Sequence, residues 1–162
     1  VSSVTVFNHF PRKEDLFLDR TEDAIELLRS AVRDRAPDVD VLSSLRDQSV
    51  RLFDARHPLS GVDERSASFF RTVAESPALV ARAREIVSEL QGTLAEELER
   101  DPAFEGDGPL LAALFLAGYS SVMVQTARRV IAGQSMSAVV DDHRARLERL
   151  FEALRNGVLP RP

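Results

Sequence analysis

A chain of 162 residues is long enough for one sizeable core, and at 44% hydrophobic and 29% charged it has the balance of a soluble globular protein. The formal net charge of −5 argues against a wholly basic nucleic-acid protein and leaves only a local patch for any DNA-binding charge. The absence of cysteine excludes a disulfide framework and a cysteine metal site, and it suits a reducing cytoplasm.

The N-terminal stretch Val1–Leu16, VSSVTVFNHFPRKEDL, reads as a short helix, a break, and the start of a longer helix. Ser2 or Ser3 can cap the short helix by accepting from an otherwise orphaned N–H. Val6, Phe7 and Phe10 recur at helical spacing, and Pro11 ends the run. Glu14 and Asp15 then fall in the first turn of the next helix, where carboxylates suit the positive end of the dipole. With Val6 and Phe10 facing inward, the short side chains of Ser3, Val4, Thr5 and Asn8 point outward, and a helix so decorated can reach base edges in a major groove.

The ordered set Val1-Ser2, Thr5-Val6-Phe7, His9-Phe10, Lys13-Glu14 and Leu16 resembles the end of the helix-turn-helix in the tetracycline-repressor (TetR) family of bacterial regulators. Pro11 and Asp15 also match common choices in that family. The resemblance covers the first tenth of the chain directly. It implies that Phe7, His9 and Lys13 touch or flank DNA phosphates. Lys13 sits by a helix N-terminus, whose N–H groups favour a phosphate. Phe7 stands where tyrosine is commoner, so a hydroxyl contact to phosphate would be lost. The family's first two helices and turn glycine would precede Val1, so the chain is expected to be a regulator lacking part of its DNA reader. In these terms residues 1–12 are the remnant of the DNA-binding domain, 13–35 a linking helix, and 36–158 a ligand-binding and dimerisation domain.

The linking helix runs from about Lys13 to Arg35, with Leu16, Phe17, Ala24, Leu28 and Ala31 along one face. A second helix fits Val41 to Arg56, and His57-Pro58-Leu59-Ser60-Gly61 breaks it. A third fits Val62 to Glu75. Ser76-Pro77 caps and opens a fourth, which runs to about Arg100 with Leu79, Ala83, Ile86, Val87, Leu90 and Leu94 on one face. Asp101 to Pro109 is a loop. The fifth helix, Pro109 to about Ala132, is apolar nearly all round, which requires burial on more than one side. The most apolar part of it, Leu110 to Gly118, is too short to span a bilayer, and its extension carries Arg128 and Arg129, so no membrane is expected. Ser135 or Ser137 caps a last helix reaching Asn156. No segment alternates like a strand, so the class is all-α.

Phe53, Phe69, Phe70, Phe115, Tyr119 and Met123 form a set that can line a small-molecule pocket, with His57, Gln125 and Arg128 as polar anchors. The same residues serve equally well as core packing. The family resemblance implies such a pocket among the middle helices and leaves the effector open. It also implies a homodimer built from the last two long helices. Ala117, Val124, Ala127, Leu147, Leu150, Phe151 and Leu154 are the interface residues expected on that basis.

Enzymatic readings are weak. Neighbours in Asp141-Asp142-His143 point to different helix faces, so no metal site is expected. The acidic loop Asp101, Glu105, Asp107 lacks the spacing of a calcium-binding loop. There is no nucleophile elbow, phosphate-binding loop or dinucleotide fingerprint, and no cofactor is expected. The expectation is a ligand-responsive, cytoplasmic transcriptional regulator of repressor type that binds operator DNA as a homodimer. The alternative is a helical small-molecule-binding or interaction module with no DNA role.

Overall fold

The computed structural model describes residues 20–63 and 65–156. Among the described residues it is all-helical: α1 (Thr21–Arg33), α2 (Val41–Asp54), a short 3-10 turn (Pro58–Ser60), α3 (Ser66–Ala74), α4 (Pro77–Arg100), α5 (Gly108–Ile131) and α6 (Met136–Asn156).

Local chemistry sets most boundaries. The Asp40 carboxylate accepts the Ser43 N–H at 3.0 Å and so caps α2. Ser76 accepts the Leu79 N–H at the start of α4, with Pro77 supplying a pre-set φ in the first turn. Asp107 does the same for Leu110 at the start of α5, ahead of Pro109. The Ser135 hydroxyl accepts the Ala138 N–H at the start of α6. The third helix begins later than its apolar pattern suggests, at Ser66 rather than Val62. Gly61 is left-handed at φ 73°, and Asp63 turns the chain by accepting from the Arg65 N–H and the Ser66 hydroxyl. Val62 is fully buried all the same, as part of the turn rather than the helix.

Helix α5 is the shared wall of the fold. It packs against α3, α4 and α6, while α1 packs on α2 and α4. The α4–α5 pair is antiparallel, joined by a tight loop, and Gly108 lies so close to α4 that an added Cβ would stand 3.1 Å from the Leu98 Cβ. On the other side of α5, Gly118 admits Leu150 of α6, whose Cδ1 would lie 2.1 Å from a Cβ at that position. The core joins Val32, Leu45, Leu94, Leu98, Phe115 and Leu147 from five helices. At 24 residues and a mean hydropathy of 1.6, α5 is long and apolar enough to cross a membrane by length and composition alone, a test that the core helix of a soluble protein also passes.

Charge ties the ends of helices together. Glu97 is buried at 4% exposure and accepts both the Arg33 Nε and Nη2 at 2.6 Å, a bidentate clasp between α1 and α4. Arg35 reaches Asp101 at 2.5 Å in the same region, and Arg155 at the end of α6 reaches the Asp40 cap at 3.2 Å.

His143 is the one buried imidazole in this core. Its ring stacks on Phe53 with centroids 5.6 Å apart, and its Nδ1 lies 2.8 Å from the Thr126 hydroxyl. Burial pushes its pKa down to about 4, against the opposing pull of Asp142, from an ordinary value of 6.5. Between those two values the unfolded chain takes up a proton that the folded chain refuses. Stability is therefore complete above pH 6.5 and declines as pH falls toward 4, by an amount on the order of 3 kcal/mol. His143→Gln, which keeps a partner for Thr126, is expected to flatten this part of the pH–stability curve measured by denaturant unfolding. A curve of unchanged slope would show that His143 is not the titrating group.

Candidate ligand-binding cavity

The apolar faces of α1, α2, α3, α4 and α5 do not close completely on one another. They leave a cavity of about 910 Å³, a size usual for small-molecule sites. Ala24, Leu27 and Leu28 of α1 form one wall. Ile86, Val87 and Leu90 of α4 face the inner side of α5, where Phe115, Leu116, Tyr119 and Met123 lie. Leu59 of the 3-10 turn and Phe69 and Phe70 of α3 complete it.

Tyr119 fixes one end of this space. Its ring lies against Phe115, with centroids 5.9 Å apart, and its hydroxyl donates to the Leu59 carbonyl at 3.2 Å. That bond ties α5 to the 3-10 turn. Burial raises the phenol to about 12, so it stays a neutral donor. Ser49, also in the lining, donates its hydroxyl back to the Leu45 carbonyl at 2.8 Å. The inner surface is therefore largely aromatic and aliphatic, with the Tyr119 and Ser49 hydroxyl protons already engaged.

Five of the seven residues expected at a pocket line this cavity: Phe69, Phe70, Phe115, Tyr119 and Met123. Phe53 and His57 stand outside the lining. Phe53 faces α6 instead, stacked on His143 with the Arg144 guanidinium 5.5 Å from its ring centroid. His57 turns back on its own loop, where Nδ1 accepts the Leu59 N–H at 3.2 Å and caps the 3-10 turn. Of the polar anchors, Arg128 lines the cavity and Gln125 does not. The walls from α1 and α4 were read from sequence only as core stripes. Arg84 was missed, although its position between Val80 and Val87 interrupts an apolar stripe at helical spacing.

The residues expected at a dimer interface divide. Ala117 and Val124 are exposed on α5, and Ala127 is half-buried at the cavity edge. Leu147 and Phe151 are buried at 1% and 3% exposure inside the chain's own core, so they have no surface to offer a second subunit. Leu150 is spent largely on Gly118 of α5, and Leu154 packs against the core margin. Ser3, Val4, Thr5, Phe7, Asn8, His9 and Lys13 lie outside the described residues.

Asp142 pairs with Arg129 and Arg146, both at 2.7 Å, while the adjacent His143 turns inward to Thr126. Neighbouring acid and imidazole thus point to different surroundings, as successive helix positions do. No family model, curated protein or solved structure matches the chain.

The Tyr119 hydroxyl bridge has a direct test. Tyr119→Phe removes the donor and leaves the Leu59 carbonyl short of its partner, which is expected to cost about 1 kcal/mol in denaturant unfolding. Unchanged stability would mean that water or another donor serves that carbonyl.

Proposed function

We propose that this protein is a ligand-responsive transcriptional regulator of the TetR type, acting in the cytoplasm as a repressor that leaves its operator when a small molecule fills the cavity. The observation that carries the reading is the wall that α1 gives to the cavity through Ala24, Leu27 and Leu28. α1 is the helix that follows the N-terminal motif, so an occupant of the cavity presses on the element leading to the DNA reader. Two recognition helices of a homodimer must match successive major-groove faces about 34–36 Å apart, and a small displacement of α1 spoils that match. The effector acts only as far as its affinities for the two states differ, typically by ~1–3 kcal/mol.

A salt titration of duplex DNA binding tests this reading. Affinity is expected to fall steeply with salt, and Lys13→Ala is expected to weaken binding similarly across sequences and to reduce the slope by about one. Absence of salt-dependent DNA binding would favour the second reading, a helical small-molecule-binding module without a DNA role. The cavity and the net charge of −5 are compatible with that module.

The homodimer is supported by the outer stripe of α5. Leu110, Leu114, Val124 and Ile131 are 54%, 52%, 46% and 42% exposed, a row of large apolar side chains on one face. Ala117 and Ser121 lie between them at the same helical spacing and allow close approach of a second helix. The half of the stripe holding Leu110, Leu114 and Ala117 lies clear of the cavity. Leu110→Glu combined with Leu114→Glu is expected to halve the mass seen by sedimentation without loss of helical content. A dimer that survives both changes would place the interface elsewhere.

A further inference from the structure

The cavity lining has an unusual distribution of charge. On a chain with 26 acidic and 21 basic residues, Arg84 and Arg128 are the only charged residues of the lining among the described residues. Both are exposed, whereas the inner wall at Phe115, Leu116 and Leu45 is buried. Neither arginine forms an ion pair or a side-chain hydrogen bond among the described residues, in contrast to Arg82 and Arg129 beside them, which bind Glu89 and Asp142 at 2.7 Å. Arg84 leaves the N-terminal half of α4 and Arg128 the C-terminal half of α5. In an antiparallel pair these halves flank the same end of the space, so among the described residues the mouth has cations on two sides and no carboxylate in its lining.

Behind the mouth the space is long and apolar. Lining residues extend along α5 from Arg128 inward to Phe115, roughly 20 Å at the rise of an α-helix. The inner hydroxyls of Tyr119 and Ser49 are already donating to carbonyls, and Gln48 and Ser120 are neutral. Nothing inside compensates a buried charge, while an alkyl chain loses water there at no polar cost.

We propose that the ligand is a long-chain amphiphile with one anionic end, a fatty carboxylate, held with its head between Arg84 and Arg128 and its chain running inward toward Phe115. This rests on the reading of the cavity as the effector site and adds the chemical class of the occupant. The guanidinium forks match a carboxylate bidentately at the rim, where the head keeps part of its water. A free acid and an alkyl phosphate share this chemistry and differ in how many oxygens the two arginines can engage.

Displacement of the neutral apolar dye N-phenyl-1-naphthylamine from the full chain tests the proposal, with hexadecanoate, hexadecyl phosphate and hexadecanol as competitors below their aggregation concentrations. In the wild type hexadecanoate is expected to bind about tenfold more tightly than hexadecanol. In the Arg84→Gln, Arg128→Gln double variant the two should come within about twofold, with hexadecanol unchanged. Phosphate outcompeting carboxylate, and losing that advantage in the double variant, would keep the anionic class and reassign the head. Equal affinity for acid and alcohol in the wild type, or a preference that survives the double variant, would overturn the proposal. Ser120→Phe separates that failure from failure of the site itself. Dye binding abolished by Ser120→Phe keeps the cavity as the binding site whatever the headgroup result, while no dye binding, or binding indifferent to Ser120→Phe, removes both.

Discussion

Helix α5 has to be apolar on sides that face different things, and that constraint governs the rest of the molecule. Its contacts with α4 and α6 need close approach, which Gly108 and Gly118 permit at their respective crossings. Its inner side supplies Phe115, Tyr119 and Met123 to a cavity, its outer side leaves Leu110 and Leu114 in the open, and Val124 and Ile131 are exposed at the cavity's edge. A polar residue on the sides facing α4 or α6 would be buried without a partner. Three polar side chains of α5 are matched individually: Tyr119 to the Leu59 carbonyl, Thr126 to His143, Arg129 to Asp142.

The way α1 is held has consequences for how the cavity would act. Its C-terminal end is clasped by the buried Glu97 through Arg33, with Arg35 pairing to Asp101 just beyond. Its earlier turns meet the cavity through Ala24, Leu27 and Leu28. A lever anchored at its C-terminal end and loaded in its earlier turns transmits motion toward its N-terminal end. That end leads in sequence to the N-terminal motif. The clasp therefore supports the proposed coupling better than a helix packed evenly along its length would.

Much of the fold was legible because helices announce themselves twice, through apolar spacing and through caps. Ser76-Pro77 marked the start of α4 by both signals, and Ser135 marked the start of α6. Val62 misled the third helix because a fully buried residue in a turn looks like a helical anchor until the Asp63 bonds are seen. Site residues were harder. Large apolar type, aromatic in all but Met123, picked out Phe69, Phe70, Phe115, Tyr119 and Met123, but spacing within one helix does not say which neighbour a face meets. Phe53 went to His143 and His57 to its own turn for that reason. Leu147 and Phe151 likewise read as outward anchors, whereas α6 turns that stripe into its own core. The exposed stripe on α5 was visible only as surplus hydrophobicity until the partners of its other faces were known.

The central claim is that the cavity and DNA binding are coupled through α1. The most direct measurement compares the wild type and the cavity-filling variant Ser120→Phe for affinity toward a duplex recovered by selection from randomised DNA. The account predicts that a duplex is recovered and that the filled cavity changes its affinity by at least about fivefold, the lower end of ordinary allosteric coupling. A folded Ser120→Phe protein that binds the same duplex with unchanged affinity, or a wild type that selects no duplex, would contradict it.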